Sequence, residues 1–230
     1  MKPLDYFYDT PSSGDGHFPQ KFCILFMGVL RVVFGLAFRY KAYDLDKIKE
    51  QFKDEGFIIA GNHCDYFDPL FVMSVWRPRP IRYLAKEEFF KNSRIVARGT
   101  SWLGILPVKR GTSDMTAIKR AVRLLKRGEI LGIFPEGTRV RSKDQEVTYH
   151  EGIALIASLA KVPVVPVRLF NTDKIKPKGS RFYRFPKVVL RFGEPVSIEE
   201  ERFESLPKAE RYAAFTNEVM RLVYDLELPD

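Results

Sequence analysis

From residue 56 onward the chain alternates short continuous apolar runs with segments of helical spacing. Residues 57–60, 81–85, 129–134, 162–169 and 187–192 read as strands. In 57–60 and 129–134 the apolar positions are consecutive rather than alternating, as expected of strands buried on both faces. Between and after them, residues 69–76, 113–127, 151–160 and 207–227 read as helices. Asp68 is placed to cap the first, with Pro69 in its opening turn. Gly128 ends the second. Pro163 and Pro166 suit an edge strand or a strand end, because proline donates nothing to the ladder. Strand–helix alternation predicts an α/β fold: a largely parallel central sheet flanked by helices. Ligands of such sheets sit beyond the carboxyl ends of the strands, which directs attention to residues after Ala60, Val108, Phe134 and Arg168.

The first 45 residues follow another pattern and are set apart from a domain over 46–230. Residues 1–20 are rich in Pro, Gly, Asp and Ser. Residues 22–38 are apolar except for Arg31 and two glycines, at the short limit for crossing a bilayer. At about 100° per residue, Lys21, Gly28, Arg31, Gly35 and Arg39 fall within an arc of roughly 80°. Such a helix suits the membrane interface, cations near lipid phosphates. A membrane-associating helix is therefore expected; the alternative is a core helix with Arg31 paired or snorkelling. It is not a secretory signal, since its lead-in carries acids and no small-residue cleavage site follows.

Composition narrows the partners. Of 230 residues, 45% are hydrophobic and 29% charged, which suits a globular domain with its own core. A net charge of +9 favours anionic partners. Two cysteines, Cys23 and Cys64, make no disulfide framework and fit a reducing compartment. With three histidines and no CxxC pair, no metal site is expected. Residues 174–191 hold Lys174, Lys176, Lys178, Arg181, Arg184, Lys187 and Arg191 without an acid, interleaved with Phe182, Tyr183 and Phe185. This patch suits an acidic carrier protein or anionic lipid. No nucleic-acid fold signature accompanies it, so nucleic acid is not expected as a partner.

Four motifs carry the candidate chemistry. In Gly61-Asn-His63-Cys-Asp-Tyr-Phe-Asp68, a histidine leaves a buried strand five residues before an aspartate. On one regular helix that spacing turns about 140° and parts them, but across a turn into a helix they can meet. A carboxylate beside imidazole fixes its tautomer and suits general-base work on a hydroxyl. Residues 104–111 (GILPVKRG) deliver Lys109 and Arg110 into a glycine turn, a phosphate clamp or a solvated sheet edge. Residues 134–139 (FPEGTR) put Glu136, Gly137 and Arg139 in a tight turn after a strand, where amides and a guanidinium can face an anion and Glu136 can accept from a hydroxyl. Residues 162–167 (VPVVPV) form an apolar wall.

Together and in this order, NHCDYFD, GILPVKR, FPEGTR and VPVVPV resemble the four blocks of the glycerolipid acyltransferases, and most of all the bacterial 1-acylglycerol-3-phosphate acyltransferases. The resemblance spans about residues 55–195. It implies His63 as general base, Asp68 as its orienting partner, and Arg110, Glu136, Gly137 and Arg139 as binders of a glycerol-phosphate acceptor. Pro166 would shape the pocket, and Lys86 and Lys109 would add to phosphate binding. It further implies lysophosphatidic acid as acceptor, an acyl-CoA or acyl-carrier-protein donor, no cofactor and no covalent acyl-enzyme. The place of action would be the cytoplasmic face of the cell membrane. The chain departs from the pattern at His150-Glu151-Gly152, where relatives often carry Lys-Lys-Gly; His150 is expected at the surface. Cys64 is not expected to act as a nucleophile, because no second base is evident for it.

Overall fold

The computed structural model describes residues 4–10, 19–76, 79–91, 93–109, 114–140, 145–177 and 179–229. The strands are β1 (Lys41–Tyr43), β2 (Phe57–Gly61), β3 (Ile81–Lys86), β4 (Leu106–Val108), β5 (Ile130–Ile133), β6 (Val164–Phe170) and β7 (Val189–Phe192). They form one sheet in the order β1-β7-β6-β2-β5-β3-β4. Five neighbouring strands, β6 to β4, run parallel; β7 is antiparallel to β6 and carries β1 alongside it in parallel. The predicted α/β architecture is therefore present, with one reversed margin.

The helices are α1 (Leu4–Asp9), α2 (Gln20–Phe38), α3 (Leu45–Gln51), α4 (Asp68–Val75), α5 (Glu87–Lys91), α6 (Arg94–Trp102), α7 (Met115–Leu125), α8 (Gly152–Ala160), α9 (Glu201–Glu204) and α10 (Lys208–Asp225). Strand side chains alternate between two cores. Phe57, Ile59 and Ile130 face the core built with α2, α3 and α4, while Ile58, Ala60 and Leu131 face the one built with α7, α8 and α10. All five residues of β2 are buried, which explains its unbroken apolar run.

Pro166 corrects one expectation. It lies inside the sheet, on β6, in register with Ala60 of β2. Val164 bridges Val196 and Val167 pairs with Phe192, so three steps along β6 face four on its neighbour. That is a bulge, and the proline's missing N–H falls where the ladder is already broken.

Helix α2 is neither wholly core nor wholly free. Cys23, Met27, Phe34 and Phe38 are buried against the body, with Phe34 and Phe38 packing on Phe71 of α4. On the opposite side Leu25, Val29, Val32, Val33 and Leu36 are exposed, Leu36 by 80%. These five positions lie within about 100° of one another on a helical projection. Arg31 is exposed on the edge between the two faces, lining a cavity of about 350 Å³ with Asp46 and Lys49. Among the described residues α2 is the one helix long and apolar enough to cross a membrane.

Candidate active site

The carboxyl edge of the parallel strands gathers the motifs. Asn62 follows β2, and its buried amide accepts from the Leu169 N–H (2.8 Å) and donates to the Leu169 carbonyl (3.0 Å), stitching the strand exit to β6. His63 comes next. Its Nδ1 lies 2.9 Å from Asp68 Oδ2, which also accepts from the backbone N–H groups of Cys64 (2.6 Å) and Asp65 (2.7 Å). The five-residue spacing thus closes across a turn. Asp68 is fully buried and makes no helix-capping bond; helix α4 starts at Asp68 itself, whose carboxylate is turned back onto the preceding loop. An acceptor-only partner assigns the proton to Nδ1 and leaves Nε2 bare.

The loop after β5 holds the backbone of His63 from both sides. Glu136 Oε2 accepts its N–H at 2.7 Å, and the Val140 N–H donates to its carbonyl at 2.7 Å. The second Glu136 oxygen accepts from the Tyr224 hydroxyl at 2.5 Å. Both Glu136 oxygens are therefore occupied by donors of the chain, and the residue is 3% exposed. Burial raises its pKa above the usual carboxylate range, against the lowering pull of Tyr224 and His63. The His63 ring stacks on Phe134 (4.6 Å), which stacks on Tyr83 (5.9 Å). Tyr83 lies across Gly132, where a β-carbon would come within 2.2 Å of the ring. Backbone, carboxylate and ring column together fix the imidazole, whose side chain remains 19% exposed.

The sequence-predicted cations are less evenly gathered. Arg139 lies 3.5 Å above the Tyr66 ring and donates to the Tyr66 hydroxyl at 2.7 Å. Its Nη1 is buried without a hydrogen-bond partner among the described residues. Gly137 adopts φ +63, and a β-carbon there would lie 2.3 Å from the exposed His150 ring. Lys86 ends β3 and Lys109 follows β4, both exposed on the same sheet edge. At about 4.8 Å per strand they stand two and three strands from β2, roughly 10 and 14 Å along the edge. The Lys109 N–H donates to Asp114, whose carboxyl it holds below the usual range. Arg110 lies outside the described residues. Pro166 is buried on β6 in register with Ala60 of β2, three residues before His63. Cys64 has its thiol pushed up to about 12 by burial and by Asp68, so at neutral pH it is no nucleophile.

Asn62, Tyr66 and Tyr224 join the site without having been singled out. Asn62 and Tyr66 stand inside the first motif, where flanking positions carried no separate signal. Tyr224 is 88 residues from Glu136 in sequence, a pairing that no local pattern announces.

Residues 41–169 match the family described as Acyltransferase. The chain is 31% identical to the 1-acyl-sn-glycerol-3-phosphate acyltransferase of Bacillus subtilis, over 90% of this chain and 96% of that one. To the enzyme of that name in Streptococcus pneumoniae it is 32% identical, over 69% of this chain and 56% of the other. The fold is shared with the crystal structure of the 1-acyl-sn-glycerophosphate (LPA) acyltransferase of Thermotoga maritima, at TM-score 0.62 and 24% identity, covering 88% of this chain and 81% of that one. Sequence, motif order and fold agree that this chain belongs to the acyltransferase family.

Proposed function

We propose that the protein transfers a fatty acyl group from an acyl thioester, on coenzyme A or acyl carrier protein, to the sn-2 hydroxyl of 1-acylglycerol 3-phosphate, giving phosphatidic acid. The observation that carries this is the His63–Asp68 contact of 2.9 Å at the carboxyl edge of the sheet, on the same edge as Arg139, one nitrogen of which has no hydrogen-bond partner among the described residues. Nε2 takes the hydroxyl proton as the oxygen attacks the thioester carbonyl. Asp68 stabilises the imidazolium. The C–S bond then breaks, and the departing sulfur takes the proton as a free thiol. Arg139 with Lys86, Lys109 and Arg110 holds the acceptor phosphate, which positions the hydroxyl. Glu136 acts on the His63 backbone, and Gly137 keeps the turn open beside the substrate. The thioester supplies an activated carbonyl, so the scheme calls for no cofactor.

The protein works at the membrane surface, on the cytoplasmic face where its thioester donors are made. The exposed stripe of α2 offers five apolar side chains to the bilayer interface. Phe182, Tyr183 and Phe185 are exposed by 79%, 52% and 58%, among exposed Lys174, Arg181, Arg184 and Lys187. Arg191 is turned away from this group, 3.3 Å from Asp44 and bonded to the Glu227 carbonyl, and Lys178 lies outside the described residues. The segment takes headgroup phosphates or an acidic carrier protein. Reversing Lys174, Arg181 and Arg184 should raise KM for an acyl-carrier-protein donor more than for acyl-CoA; equal effects count against carrier docking.

The acceptor is tested by offering purified protein lysophosphatidic acid and glycerol 3-phosphate side by side, with both donors. Phosphatidic acid as the product supports the proposal. Product from glycerol 3-phosphate alone moves the acceptor, and no product from either points to another lyso-lipid or to a membrane-binding role without catalysis.

A further inference from the structure

We propose that the C-terminal helix is a working part of the catalytic centre, with Tyr224 as a positioning residue acting through Glu136 on His63. The inference rests on His63 being the base. Residue 224 lies outside the span 41–169 that matches the family, and none of the four motifs includes it. Its hydroxyl nevertheless donates to one oxygen of Glu136, whose other oxygen accepts the His63 N–H. One carboxylate thereby couples helix α10 to the backbone of the base.

The helix is firmly placed to do this. Its own residues Phe215, Val219, Met220 and Val223 are fully buried against the body. Beyond them, the Arg168 guanidinium on β6 donates to the carbonyls of Tyr224 and Leu226, and Arg191 on β7 donates to that of Glu227. Two sheet arginines thus clamp the end of α10 where Tyr224 leaves it. No Lys or Arg lies within ion-pair distance of Glu136 among the described residues, so two hydrogen bonds are what hold its buried carboxylate. The groups facing it are Tyr224 from α10, His63 and Cys64 from the β2 exit, Asp68 from α4, and Tyr149. A donor removed from the charged form favours the neutral one. Without the hydroxyl, Glu136 takes up a proton at higher pH than in the parent, and the grip on His63 loosens.

Tyr224→Phe in the full chain tests this, since it keeps the ring and deletes one oxygen. Expected results are a kcat lower by about tenfold with KM for both substrates within about twofold, an acid limb of the kcat–pH profile shifted to higher pH, and faster hydrogen exchange at the His63 amide with an unchanged melting temperature. Unchanged exchange at that amide overturns the hydrogen-bond chain. Faster exchange with unaltered kcat and pH profile overturns the positioning role. Exchange needs no substrate, so it separates a failure of this inference from a failure of the acceptor assignment.

Discussion

The two edges of the sheet bury charge in opposite ways. At the amino edge Arg82 is fully buried and forms an ion pair with Glu129 at 3.0 Å. Its remaining nitrogens donate to the carbonyls of Phe7 (3.3 Å) and Thr10 (2.6 Å), and Gly104, at φ +73, leaves room for the guanidinium. This buried pair is satisfied within the chain. At the carboxyl edge two buried carboxylates, Asp68 and Glu136, surround His63, while Arg139 keeps a buried donor without a hydrogen-bond partner among the described residues. Closed accounts of charge make a scaffold; the open one is where a substrate's proton and phosphate find their places.

The largest test of this contrast is Asp68→Asn. An amide presents the wrong group to Nδ1 and disfavours the tautomer with Nε2 bare. By analogy with catalytic triads kcat should fall about 10⁴-fold, roughly 5.5 kcal/mol. A loss under tenfold would place proton transfer elsewhere. Next comes Arg82→Met at the closed edge. Breaking a buried pair on one side costs about 3–5 kcal/mol of stability, read by urea unfolding, while kcat of the folded fraction stays near wild type. If activity falls before stability does, the two edges are not separate.

Arg139→Met should raise KM for the phosphate-bearing acceptor about 10–100-fold, leaving the thioester KM nearly unchanged. Arg139→Lys should recover it only in part, since a point charge replaces a planar fork. The smallest effect concerns stability. The Glu136 pKa is raised by burial, so its contribution to stability is greatest below the ordinary carboxylate pKa and is lost as pH rises through the raised value. At pH 8, Glu136→Gln should therefore melt at the same temperature or about 2–4 °C higher, even where turnover drops. A clearly lower melting point would make Glu136 a stabilising residue and place it with Glu129.

Much of this was legible because it is local. The continuous apolar runs marked β2, β5 and β6, since strands buried on both faces need no alternation. The His63–Asp68 contact followed from a strand exit running into a helix. What escaped depended on the path of a turn or on partners distant in the chain. Asp68 looked like a helix cap because the donors that claim it, on Cys64 and Asp65, lie in a turn whose path the sequence does not dictate. Pro166 looked like an edge residue because a bulge opposite residues 164–167 leaves no local mark. The two faces of α2 merged in one apolar stretch, since a core and a bilayer ask for the same side chains. Tyr224 and Arg82 find their partners only through the fold.

The most direct test is thiol release from an acyl thioester on addition of lysophosphatidic acid, comparing the parent with His63→Ala. Release by the parent, reduced at least 10³-fold in a variant that keeps its melting temperature, is the result expected if His63 is the base. Comparable release from both would contradict the assignment and with it the reading of the carboxyl edge as the catalytic one.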